Sequence, residues 1–234
     1  MPNSSYSASF WTSVANRFKN NGMVIFDLFN EPIPNNNAND GTDTGARRSW
    51  ECWRDGYASG SCDATQNAGT ASSGMTASQV VGMQALLNAV RATGATNVVQ
   101  VNGIQWGNTI WSSSTRNFLT YKLTDPLNNT TAAMHTYNWT WCPDLACLQR
   151  EVAPIAAVLP VFIGEFGHDA CGTSNRTALI DIMRWADSKG VGYAAQTWDT
   201  TDSCSNIKLL ASFDGTPGPY GDIIRDHYLT FAAP

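Results

Sequence analysis

The chain carries little charge. Only 14% of its 234 residues are Asp, Glu, Lys or Arg, and 14 Lys and Arg stand against 19 Asp and Glu for a formal net charge of −5. No basic run occurs. The electrostatic footprint of a nucleic-acid or anionic-membrane binder is therefore missing, and neither is expected as a partner. No stretch approaches the roughly 20 apolar residues that a membrane-spanning helix needs. The segment from Met1 to Phe10 has neither the basic start nor the apolar core of a secretory leader. A glycine-rich phosphate loop, a dinucleotide fingerprint and a serine nucleophile elbow are all absent, so no cofactor is expected.

What is present is apolar and aromatic. Hydrophobic residues make up 43% of the chain and aromatics 11%, with nine Trp, the composition of a soluble folded enzyme. Two strings stand out: Val24-Ile25-Phe26-Asp27-Leu28-Phe29-Asn30-Glu31-Pro32 and Pro160-Val161-Phe162-Ile163-Gly164-Glu165-Phe166-Gly167. Each is a short apolar run that stops at a glutamate, so each reads as a buried strand delivering one carboxylate to its C-terminal end. Two carboxyl groups in different environments supply what acetal cleavage needs, a proton for the leaving oxygen and an electron pair for the developing oxocarbenium ion. Asn30 can point an amide at a sugar hydroxyl, Pro32 stiffens the backbone after the acid, and the glycines around Glu165 allow close approach.

Strand-like runs fall at residues 23–29, 97–102, 131–137, 161–166 and 191–198. Helical spacing falls at 7–20, 76–93, 175–189 and 222–231, with 145–159 as a further helix that Pro154 interrupts. Strand and helix in alternation predict a parallel sheet flanked by helices. Five strands cannot close a barrel, and open edges expose backbone groups and apolar faces, so a homo-oligomer is expected to cover them.

Six cysteines are read as loop residues paired in sequence order, Cys52 with Cys62, Cys142 with Cys147 and Cys171 with Cys204, although fifteen arrangements are possible. Their spacings are unlike a zinc ribbon. Disulfides imply an oxidising compartment and hence a secreted protein. Residues 35–45 read as a solvated loop, with Asp40 and Asp43 as weak calcium candidates, and no metal is expected.

The Asn30-Glu31-Pro32 triplet, His135-Thr136-Tyr137, Gly164-Glu165-Phe166-Gly167 and Thr197-Trp198-Asp199, each at a strand end, resemble glycoside hydrolase family 5. The segments from Phe10 to Lys19 and from Trp50 to Gly56 resemble its cellulase-type members more narrowly. The resemblance implies an α/β fold, a partial TIM-type (β/α) barrel in which strands 1–3 of the full (β/α)8 barrel are lacking, over a single catalytic domain of residues 1–234. It implies a retaining mechanism with Glu31 as acid/base and Glu165 as nucleophile. Asn30 would contact a 2-hydroxyl, His135 and Tyr137 would be polar site groups, with Tyr137 orienting the nucleophile, and Trp198 would be a stacking platform. The family also brings an Arg beside the nucleophile and a His at the innermost sugar subsite, onto which no position of this chain maps.

Trp106, Trp111, Trp139, Trp141 and Trp198 all lie at or after strand ends, where an indole offers a flat apolar surface to a pyranose ring. Trp106 and Trp139 join Trp198 as expected substrate contacts, while Trp11 and Trp185 are helix packing residues. The partner expected is a β-linked oligo- or polysaccharide, and the activity cleavage of β-1,4-glucans of the cellulose type. A weakly active or non-catalytic carbohydrate-binding protein, a β-glucosidase-like exo-enzyme and a β-mannanase are the alternatives.

Overall fold

A computed structural model describes residues 1–34, 43–62, 65–66, 75–168, 176–200, 208–218 and 220–231. Five parallel strands form one sheet in chain order: β1 (Phe26–Asp27), β2 (Val99–Asn102), β3 (Thr130–Tyr137), β4 (Val161–Gly167) and β5 (Gly192–Ala195). The longer helices among the described residues are α1 (Ser7–Phe18), α2 (Asp43–Asp55), α3 (Met83–Arg91), α4 (Arg176–Lys189) and α5 (Gly221–Leu229). Parallel strands in consecutive order with helical crossovers are the connectivity of a partial (β/α) barrel. The chain divides into two compact units, Met1–Ala133 and Met134–Pro234.

In the first unit β1 is an edge strand and far shorter than its apolar run. Its ladder to β2 pairs Phe26 with Val99 and Asp27 with Gln100, and Leu28 N–H donates to the Gln100 carbonyl just beyond. Met23 and Ile25, upstream of the ladder, are exposed at 91% and 52%. An edge strand twists away from its single neighbour where no second partner holds it.

Helix α1 turns Trp11 and Ala15 inward. The Trp11 indole meets the Phe26 ring edge-on at 5.9 Å and donates to the Leu28 carbonyl at 2.9 Å. It therefore sets the path of β1 toward Asn30 and Glu31. Helix α3 buries Met83, Leu86, Leu87 and Val90, the i, i+3, i+4, i+7 stripe of an amphipathic helix.

That helix begins seven residues later than its periodicity suggests. Thr76 and Gln79 close a capping box around a single 3-10 turn, Ala77–Gln79, and Gly82 is extended. The reason is a backbone crossing: a Cβ on Gly82 would lie 2.3 Å from the Arg54 carbonyl oxygen, and one on Gly56 would lie 2.4 Å from Gly82 N. Two bare backbones must touch there, and only glycine permits it.

Helix α2 corrects the reading of residues 43–45 as loop and of Cys52 as a loop cysteine, since both lie in the helix. Apolar positions here are tryptophans spaced among charges, which conceals the period. Trp50 and Trp53, both fully buried, pack edge-on at 5.2 Å. Trp50 stacks on Tyr121 and donates to Ser112 Oγ, and Trp53 meets Phe118 and donates to the Asn102 carbonyl at 2.9 Å. Each aromatic pair contributes about 0.5–1.5 kcal/mol beyond its buried area.

In the second unit β4 and β5 pair in parallel, Phe162 with Gly192 and Ile163 with Tyr193. Helix α4 buries Leu179, Ile182, Met183, Trp185 and Ala186. The segment around Pro154 is helical but broken into Leu145–Cys147, a wide π turn Leu148–Val152, and Ala153–Ala156. Proline has no N–H for the turn before it, so it sits in the first turn of the last piece. His227 on α5 lies 2.9 Å from Asp187 and 3.1 Å from the Tyr193 hydroxyl, a structural tie.

Disulfides join Cys52 to Cys62 and Cys142 to Cys147. Cys171, Cys204 and Asp40 lie outside the described residues.

Candidate active site

In the second unit the strand period of two places His135 and Tyr137 on one face of β3, with Thr136 on the other. Glu165 stands on β4. Its Oε2 accepts a hydrogen bond from the Tyr137 hydroxyl at 2.5 Å and lies 3.5 Å from His135 Nδ1. His135 and Tyr137 are buried, whereas the Glu165 side chain keeps 24% of its surface. Both neighbours address the same oxygen, Oε2. A carboxylate with one oxygen held by a phenol hydroxyl is suited to nucleophilic attack through the other.

Thr136 reaches the opposite way, its hydroxyl donating to the Cys142 carbonyl. Beyond β3 the chain turns on Thr140, whose N–H and hydroxyl both donate to the Tyr137 carbonyl, at 3.0 and 2.8 Å. The turn folds Trp139 back so that its ring lies parallel to that of Tyr137, with centroids 4.8 Å apart. Trp139, Trp141 and Trp198 are all exposed.

Trp198 follows β5 and lines a separate apolar cavity of about 610 Å³ with Tyr193, Leu209, Ile224 and Tyr228. The structure thus gathers His135, Tyr137, Trp139 and Glu165, and sets Trp198 against the β5 and α5 side. In that side Tyr193 is half-buried and bonded to Asp187, and partial desolvation together with that hydrogen bond keeps its hydroxyl protonated well above the usual tyrosine range. His168 is buried at the end of β4.

In the first unit Asn30 and Glu31 follow β1. Asn30 is exposed and Glu31 half-buried, and Glu31 has φ +49°, the left-handed region that costs a non-glycine residue energy. Three polar residues that sequence reasoning did not single out support this turn. Asp27 accepts from Gln100 Nε2 at 3.0 Å and from Asn102 Nδ2 at 3.0 Å, and the Asn102 amide also reaches the Phe29 carbonyl at 3.4 Å. A polar residue at every second position of a short buried strand was the available signal. Trp106 lies in the loop after β2, where Gln105, Trp106 and Gly107 all have positive φ.

The sequence pattern of the cellulases of glycosyl hydrolase family 5 matches residues 2–203. The chain belongs to glycosyl hydrolase family 5. Among individual relatives, Endoglucanase 1 of Robillarda sp. (strain Y-20) is 26% identical over 242 residues, covering 92% of this chain and 52% of that protein. The β-glucanase SdGluc5_26A of Saccharophagus degradans, solved with cellotetraose, is similar in fold, with a TM-score of 0.66 at 17% identity over 97% of this chain and 60% of its own. The mannanase catalytic domain of Streptomyces sp. SirexAA-E has a TM-score of 0.63 at 20% identity, over 94% of this chain and 58% of its own. The chain thus spans between half and two-thirds of the length of these relatives.

Proposed function

We propose that the chain is a retaining glycoside hydrolase that cleaves β-1,4-glucosidic bonds in cellulose-type glucans or cello-oligosaccharides. The observation that carries this reading is Glu165 at the end of β4, bound on Oε2 by the Tyr137 hydroxyl at 2.5 Å. Oε1 of Glu165 attacks the anomeric carbon as Glu31 gives its proton to the departing glycosidic oxygen. Water then attacks the same carbon, Glu31 takes its proton, and the bond to Glu165 breaks. Double displacement requires the two carboxyl groups to lie about 5–5.5 Å apart.

Asn30 binds the 2-hydroxyl, His135 supports the nucleophile and adjacent sugar, and Trp106, Trp139 and Trp198 stack on pyranose faces. Residues 1–234 act as one catalytic domain, and the protein works outside the cell, where its disulfides persist. The unpaired sides of β1 and β5, the two ends of the sheet among the described residues, are covered by a second copy. The cellotetraose in the Saccharophagus β-glucanase supports a β-linked oligosaccharide ligand, and the mannanase relative supports mannan as the competing substrate.

Product analysis on β-1,4-glucan, mannan and xylan, with short cello-oligosaccharides alongside, tests the reading. Sugar release from glucan with the anomeric configuration retained is expected, and product length separates endo- from exo-action. Binding of cello-oligosaccharides with no release from any substrate would overturn hydrolysis in favour of a carbohydrate-binding role.

A further inference from the structure

We propose that Trp139 is a positioning residue for the Glu165 carboxylate and acts through Tyr137, in addition to offering a face to substrate. The consequence for catalysis rests on Glu165 being the nucleophile, but the coupling of the three side chains does not.

The argument starts at the turn after β3. Tyr137 N–H donates to Thr140 Oγ1 at 3.1 Å while Thr140 donates twice to the Tyr137 carbonyl. This reciprocal pair fixes both backbone groups of Tyr137 but does not itself set the χ1 and χ2 angles of the phenol. The Trp139 indole restrains it: the rings are within 2° of parallel at 4.8 Å. The indole is 55% exposed and the phenol 7%, so Trp139 lies between Tyr137 and water.

The loop that carries Trp139 is itself held. Cys142 is bonded to Cys147, the Cys142 carbonyl takes the Thr136 hydroxyl, and Asp144 caps the following turn by accepting from Cys147 N–H at 2.9 Å. Position therefore passes from a cross-linked loop to an indole, from the indole to a phenol, and from the phenol hydroxyl to Glu165 Oε2. A short charge-assisted hydrogen bond depends steeply on donor alignment. A ring that swings would draw the donor away and admit water beside the carboxylate.

The test reads Tyr137 directly, without turnover. With tyrosine labelled by 13C at the ring carbon bearing the hydroxyl, the Tyr137 resonance is assigned by its loss in Tyr137→Phe and should move in Glu165→Gln. It should also move in Trp139→Ala, and stay near its wild-type position in Trp139→Phe, which keeps a stacked ring. A Tyr137 resonance that Trp139→Ala leaves in place would overturn the proposal.

The kinetic counterpart is a double-mutant cycle. A hydrogen bond to a charged group is worth roughly tenfold to a hundredfold, so Tyr137→Phe should lower kcat by about that much. Trp139→Ala should lower kcat about tenfold in the wild type and by less than about twofold in the Tyr137→Phe background, the non-additivity of two residues acting as one unit. A rise in KM alone, equal in both backgrounds, would reduce Trp139 to a sugar platform and sink the positioning role. Turnover surviving Glu165→Gln with the resonance shifts intact would remove the nucleophile assignment and leave the coupling standing.

Discussion

Replacing Glu165 with Gln should lower turnover at least about 10³-fold, the scale of losing a covalent nucleophile, while cello-oligosaccharides still bind. The substitution is nearly isosteric. Glutamine keeps an oxygen that can accept from the Tyr137 hydroxyl, which holds Oε2 at 2.5 Å, so the fold of the β4 end should persist. What it removes is the negative charge and the electron pair that would form the bond to the anomeric carbon. With the amide oxygen in the Oε2 position, Tyr137 and His135 Nδ1, 3.5 Å away, still face an oxygen but no longer a charge. Sugar release followed by chromatography gives the rate, and calorimetric titration with cellotetraose gives the binding. Undiminished release would refute the assignment of Glu165. Loss of both release and binding would mean that the carboxylate holds substrate in the ground state as well.

The second large effect concerns stability. Asp125→Ala should destabilise the protein by about 3–5 kcal/mol, because it strips a buried cation of its counter-ion. For a chain of this size that is a fall in Tm of roughly 10 °C. Arg91 ends α3 with its side chain 7% exposed, and the Asp125 side chain beside it is 2% exposed. The pair is bidentate, with Nε and Nη2 each 2.8 Å from a carboxylate oxygen. The remaining donors go to the carbonyls of Ala95, Asn97 and Asn129. These carbonyls lie just before β2 and β3, so one side chain fixes where both strands begin.

The Arg91 hydrogen bonds, with backbone N–H groups of Asn129 and Leu127, hold the Asp125 carboxyl below the usual carboxylate range. A depressed folded-state value means stability that is fully present above the ordinary aspartate pKa of about 3.9. It is lost as pH falls through the lower value of the folded protein. Thermal unfolding of wild type and variant should therefore differ by a constant amount at neutral pH and converge only in strong acid. A gap that closed near pH 6 would point to another group.

The strands were legible because β-branched and aromatic runs ending in polar residues leave few alternatives, and all five lie where the sequence places them. The first is short because an apolar run records burial, whereas a ladder needs a neighbour, and β1 has one only from Phe26. Helix α2 escaped notice since Trp50 and Trp53 do the work of an apolar stripe while Arg47, Arg48 and Arg54 crowd the same turns. At the site, each glutamate announced itself by ending an apolar run. The amides of Gln100 and Asn102 left only a weaker signal, a polar residue at every second position of a short strand, whose partner is unknown until the neighbouring strand is known. The fold of Trp139 onto Tyr137 was equally hidden, since it depends on a turn closed by Thr140.

Glu31 sits at φ +49°, in a conformation that costs a residue with a side chain about 1–2 kcal/mol. Glycine would escape that penalty at an entropic cost of roughly half as much. An engineer selecting this protein for heat resistance alone would thus be drawn toward glycine or asparagine at position 31, and would recover a hardier molecule stripped of the group proposed to deliver its proton. Rounds of selection on this scaffold need an activity screen at every step, for the most tempting stabilising change lies on the residue it can least spare.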